Sequence, residues 1–113
     1  MKVSHKGRRE KGRRLELKFA AMLRQFGLDK NASRMPLSGS SWAFRSDIKT
    51  SLPYRFECKN QERLNLWDWW DQCYADRGYK TPVLVFSSNN RPIMVTLKAD
   101  DFLAILKSEK LKG

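Results

Sequence analysis

Asp47, Glu57 and Lys59 bring two carboxylates and an ammonium group into one short stretch, DIKTSLPYRFECK. Asp47 and Ile48 open a strand-like run, Ser51-Leu52-Pro53 supplies turn chemistry, and residues 54–59 read as a second strand. With Leu52 at the centre of a three-residue loop, the antiparallel register pairs Thr50 with Tyr54, Ile48 with Phe56 and Asp47 with Glu57. Opposed side chains lie about 4.5–5.5 Å apart at Cβ, where like charges repel. The period-two pleat puts Lys59 on the face of Glu57 and turns Ile48, Phe56 and Cys58 toward an apolar face. A hard divalent cation such as Mg²⁺ offsets the repulsion, because it takes one or two carboxylates and completes its shell with water and phosphate oxygens. Beside it, Lys59 is placed to orient or activate a water that attacks phosphorus. A surface hairpin with solvated charges satisfies the same pattern, since an isolated D…ExK spacing is frequent by accident.

The charge balance narrows the choice. The 113 residues carry a net charge of +11 with a pI near 10.1, and such an excess favours a polyanion, because Lys and Arg displace condensed counterions from nucleic acid. A membrane surface is the rival polyanion. No apolar run approaches the roughly 20 residues that span a bilayer, and the basic N-terminus lacks a following apolar h-region. The expectation is a cytoplasmic protein of one domain, with no membrane partner. Cys58 and Cys73 with the lone His5 and no CxxC argue against a zinc site and for buried free thiols.

Around the hairpin the elements follow in order. Residues 1–12 read as a basic arm in which Gly7 and Gly12 discourage helix; Lys11, Arg13 and Arg14 are candidate phosphate contacts, though a solvated charge run reads equally well. A helix from about Arg13 carries Leu15, Phe19, Met22, Leu23 and Phe26 at helical spacing and stops at Gly27. Glu16 borders that stripe and reaches the acidic face if the helix packs beside the hairpin. Residues 34–37 are extended, and Ser38-Gly39-Ser40-Ser41 forms a loop suited to phosphate, with Trp42 free to stack on a base or to enter the core. Asn60 is a candidate cap for a helix running to about Arg77, with Gly78 as its stop. Its Leu64, Leu66, Trp67, Trp69, Trp70, Cys73 and Tyr74 exceed one stripe, which suits a homodimer contact. Gln72 is either an exposed helix residue or one that points back to the site. Pro82 to Phe86 reads as a strand buried on both faces, residues 93–97 as another strand, and a last helix starts near Asp100 and frays from Ser108. Helix, hairpin, helix, two strands and helix give an α/β domain: a central mixed β-sheet flanked by helices.

Lys11-Gly12 with Glu16, then Arg34-x-Pro36-x-Ser38-Gly39, then Asp47, then Glu57-x-Lys59, in that order, resembles the archaeal-type Holliday junction resolvases of the PD-(D/E)XK nuclease superfamily, over about residues 11–85. The resemblance implies a restriction-endonuclease-like core, a homodimer, and Mg²⁺-dependent hydrolysis of DNA phosphodiesters, with Mn²⁺ able to substitute. Carried over, Asp47 and Glu57 become metal ligands with the main-chain carbonyl of Cys58, Glu16 a further acidic site residue and possible ligand, and Lys59 the catalytic lysine. Arg34 and Ser38 would contact the DNA backbone. Ser46 stands where the family has proline, Leu17 where it commonly has arginine, and the LWDWWDQ helix is unlike a typical member. A phage relative acting on other branched or nicked DNA is the second form of this reading. A non-catalytic nucleic-acid-binding module accounts for the charge but not for the paired acids, which repel DNA unless a cation neutralises them. A binder of membrane surfaces or acidic proteins accounts for neither.

Overall fold

The computed structural model describes residues 5–35 and 47–112. Ser38, the loop 38–41 and Trp42, for which phosphate or base contacts are expected, lie outside the described residues. The elements are α1 (His5–Gln25), β1 (Ser33–Arg34), β2 (Ile48–Lys49), β3 (Tyr54–Asn60), α2 (Leu66–Ala75), β4 (Thr81–Ser87), β5 (Met94–Thr96) and α3 (Ala99–Lys112). A three-stranded mixed sheet has the order β3-β4-β5: β3 and β4 run parallel with Glu57 opposite Leu84, and β5 lies antiparallel to β4. The parallel pair requires a crossover, which α2 provides. This α/β arrangement is compatible with a restriction-endonuclease-like core.

The pleat of β3 divides the core as its sequence predicts. Phe56 and Cys58 are buried with Leu15, Phe19, Ala20 and Leu23 of α1, Ile48 of β2, and Val83 and Val85 of β4. Phe19 meets Phe56 with ring centroids 4.9 Å apart. Leu84, between the two valines, points the other way and is fully buried, on the side where α2 packs and buries Trp69 and Cys73. The sheet therefore has helices on both faces.

Four boundaries differ from expectation. First, α1 begins at His5 instead of near Arg13. Glycine costs about 1 kcal/mol in a helix interior, but this end is docked: Lys11 pairs with Glu62 at 3.7 Å and its carbonyl accepts from Asn60 Nδ2 at 3.3 Å. The other end of α1 does stop at Gly27, in the left-handed region at φ 71°, with Leu28 N–H donating to Leu23 O and Gly27 N–H to Arg24 O, both at 3.0 Å. These are the paired bonds of a Schellman stop. They turn Phe26 outward, 73% exposed, so it leaves the stripe to which its spacing assigned it.

Second, the hairpin is not a two-strand ladder. β2 pairs antiparallel with β1, Arg34 opposite Ile48, and just before it Asp47 N–H donates to Phe56 O of β3 at 3.2 Å. The turn is held elsewhere: Asp29 Oδ2 accepts from Thr50 Oγ1 at 2.5 Å and from Ser51 N–H at 3.1 Å, and Thr81 N–H donates to Pro53 O at 3.0 Å. Third, Asn60 ends β3, and Asn65 precedes α2. Fourth, α3 stays helical to Lys112 and does not fray from Ser108.

The two-sided core sets a contrast in stability. Phe19→Ala should cost about 3–5 kcal/mol, whereas Phe26→Ala should stay within about 0.5 kcal/mol of wild type. Urea unfolding of the two variants checks this.

Candidate active site

Asp47 stands immediately before β2, and its carboxylate is fixed by β3: Oδ2 accepts the Cys58 N–H at 2.7 Å. That bond and the Asp47 N–H to Phe56 bond clamp the acid across the strand that carries Glu57. Because Phe56 and Cys58 face α1, Arg55, Glu57 and Lys59 face the side of α2. Glu57 is mostly buried there, and its Oε2 has no hydrogen-bond partner among the described residues. Burial, and after it the charge of Asp47, push its pKa up to about 7. Lys59 opposes the rise without overcoming it, and Asp76, at the end of α2, adds to it.

Glu16 approaches from the α1 side and is only 6% exposed. Arg34 Nε donates to its Oε1 at 3.0 Å. Burial and the charge of Asp47 raise its pKa to about 6, against the pull of Arg34. Asp47 thus acts on both glutamates, but the strand β3 lies between them. Among the described residues no group of three His, Cys, Asp and Glu side chains is gathered closely enough to hold a metal ion.

A Mg²⁺ ion does not require three acids; one or two carboxylates and water suffice. Asp47 and Glu57 meet that requirement. The unpartnered Glu57 oxygen and the raised pKa are what a bound cation would relieve, because the cation favours the charged carboxylate. Cys58 and Cys73 are buried free thiols. Burial holds the Cys58 pKa well above its usual value and pushes that of Cys73 to about 12, so neither is a thiolate nucleophile.

The basic residues fall into two groups. Arg34 is committed through Nε to Glu16, a role its sequence context does not indicate. Lys11 and Arg14 line a cleft of about 350 Å³ between α1 and the β4–β5 turn, with Lys18, Asn60 and Arg91; Arg13 is exposed on α1. Lys18, Arg91 and Asp76 have no role in the sequence expectation, and Asn60, expected as a helix cap, lines the cleft instead. The spacing of Lys18 from Arg14, four residues on one helix face, could have revealed the first; the other three depend on which segments pack together.

A family profile described as phage putative PDDEXK endonuclease matches residues 7–112. The chain belongs to this family. Membership implies a nuclease, with DNA as the substrate class, and the match runs from the start of α1 to the end of α3. No curated protein and no solved structure matches the chain. Among the described residues, no helix is long and apolar enough to cross a membrane.

The raised pKa of Glu57 sets the sign of a pH effect. An acid whose pKa goes from 4.5 to about 7 on folding holds its proton more tightly in the native state, so stability is full below about 4.5 and is lost as pH rises toward 7. In chelator, the melting midpoint of wild type should therefore fall relative to Glu57→Gln across that window. Mg²⁺ should then raise the wild-type midpoint more than that of the variant.

Proposed function

We propose that the chain is a Mg²⁺-dependent, structure-selective DNA endonuclease that hydrolyses phosphodiester bonds in four-way or branched DNA, acting as a homodimer. The observation that carries this reading is the half-buried Glu57, whose Oε2 is buried with no hydrogen-bond partner among the described residues, on the strand across which Asp47 is clamped and with Lys59 two residues along the same face. Mg²⁺, or Mn²⁺ in its place, would be held by Asp47, Glu57 and the Cys58 carbonyl and would polarise the phosphoryl oxygen and lower the pKa of a bound water. The chain's own residues do the rest. Lys59 stabilises charge developing on the phosphate. Glu16, neutralised by Arg34, keeps a second acid near Asp47 and can take up a proton near neutral pH.

Lys11, Arg14, Lys18 and Arg91 supply the cationic surface that draws in the DNA backbone, and with it most of the affinity. Ser38 is proposed as a further backbone contact. The order of Glu16, Arg34, Asp47, Glu57 and Lys59 supports a Holliday junction resolvase with a place in recombination and repair. The phage family match favours a second reading, in which the same site cuts other branched or nicked DNA. Labelled four-way junction, fork, nicked duplex and linear duplex, incubated with and without Mg²⁺, separate the two: preferred cleavage of the junction supports the resolvase, and equal cleavage of forks or nicked duplex supports the second.

Asp47→Asn, Glu57→Gln and Lys59→Ala should each lower Mg²⁺-dependent cleavage by about 10²-fold or more, with DNA binding in chelator largely intact. Wild-type rates in any of the three would remove that residue from the site. Arg14→Ala and Arg91→Ala should each reduce the slope of log affinity against log salt by about 0.9. Filter binding across a salt series measures that slope.

A further inference from the structure

Three cations stand on one face of α1. Lys11, Arg14 and Lys18 are spaced by three and four residues and line one cleft, with Arg91 across it on the β4–β5 turn. Like charges at that spacing repel one another. Among the described residues, Arg14, Lys18 and Arg91 form no ion pair. The acid that meets the cluster is Glu62, whose Oε1 lies 3.7 Å from Lys11 Nζ and also accepts the Asn89 N–H at 2.9 Å.

The backbone puts Glu62 there. The parallel ladder of β3 and β4 ends with Asn60 opposite Ser87, and Gln61 N–H donates to Ser87 O at 3.2 Å, so the chain leaving β3 passes the start of the β4–β5 turn. In that turn Asn90 takes the left-handed region at φ 60°, and Arg91 N–H donates to Ser88 O at 3.1 Å. An oxygen held between an ammonium group and a backbone N–H at a turn has the surroundings of a bound phosphate oxygen. The Glu62 carboxylate stands in for one. It is the loosely held member of its ion pair, 53% exposed at the side chain against 14% for Lys11, and a pair so open to solvent is worth little. The Lys11 carbonyl accepts from Asn60 Nδ2 at 3.3 Å, so this end of α1 keeps an anchor when the carboxylate leaves. The cleft of about 350 Å³ equals roughly ten waters in volume, which is room for a phosphate and its sugar.

We infer that Glu62 is a built-in competitor at a phosphate site: in the free protein its carboxylate fills the place between Lys11 Nζ and the Asn89 N–H, and a backbone phosphate of DNA displaces it. The inference rests on the DNA-binding reading of the proposed function and deepens it. The site lies on the α1 side of β3, where Asn60 follows Phe56 and Cys58 in the pleat, so it takes a different phosphate from the one beside Glu57. A competitor that must leave lowers the apparent affinity by the fraction of molecules in which the site is open. Arg14, Lys18 and Arg91 supply what a lone anion lacks, cations for the neighbouring phosphates of a strand.

Filter binding of a labelled DNA fork in chelator reads the competition without cleavage. Glu62→Gln keeps an oxygen for the Asn89 N–H and removes only the charge, so it should bind the fork about two- to fivefold more tightly than wild type. Glu109→Gln, which removes the same charge from an exposed position on α3, should change affinity less. In a Lys11→Ala background Glu62→Gln should bring no gain, because the pair it breaks is already absent. Inorganic phosphate should shift the Asn89 amide resonance of wild type, and at lower concentration that of Glu62→Gln. A Glu62→Gln gain no larger than that of Glu109→Gln, a gain undiminished without Lys11, or an Asn89 resonance unmoved by saturating fork overturns the inference and leaves the nuclease reading standing. Fork binding with the expected pattern but no Mg²⁺-dependent cleavage counts against the nuclease reading alone, and no fork binding by any of these proteins defeats both.

Discussion

The site depends on one side-chain hydrogen bond. Asp47 Oδ2 takes the Cys58 N–H that a neighbouring strand would otherwise satisfy, so a short loop-borne acid is fixed against the middle of β3. A buried N–H without a partner costs about 1–3 kcal/mol, so the carboxylate serves the fold and the site together. This explains why β2 can spend its ladder bonds on β1 while Asp47, the residue before it, stays fixed to the strand that carries Glu57.

Two glutamates of this strongly cationic chain are drawn out of solvent. Glu16 and Glu57 are desolvated from opposite sides of β3 while Asp47 bears on both. Lys59 and Arg55 offset the rise in the pKa of Glu57 only in part, so its carboxyl titrates near neutral pH. Acids arranged so are a native-state cost unless a cation joins them, and an arrangement that destabilises the apo protein is what binding would reward. The cleft of Lys11, Arg14, Lys18 and Arg91 lies at the C-terminal ends of β3 and β4, where Asn60 and Ser87 also line it.

The apolar surface is distributed unevenly. Among the described residues, α1 and one face of α2 pack against the sheet, whereas Trp67 of α2 and Phe102, Leu103, Ile105 and Leu106 of α3 are exposed.

By itself the sequence determined what local periodicity encodes. The alternation in YRFECK put Phe56 and Cys58 in the core and Glu57 with Lys59 on the other face; PVLVF became the strand buried on both sides; Gly27 stopped α1. The residues of the candidate site were legible too, because acids and a lysine at period-two spacing are readable without a partner. Only the tertiary structure decided the rest: that β2 pairs with β1, that α1 extends back to His5, that Arg34 binds Glu16, and that Asp76 and Arg91 come near β3. A residue's face follows from its neighbours in sequence, but the partner of a backbone edge or of a charge is set by competition among segments far apart in the chain. Desolvation, which moves the glutamates toward neutral pH, arises only when those segments have closed over them.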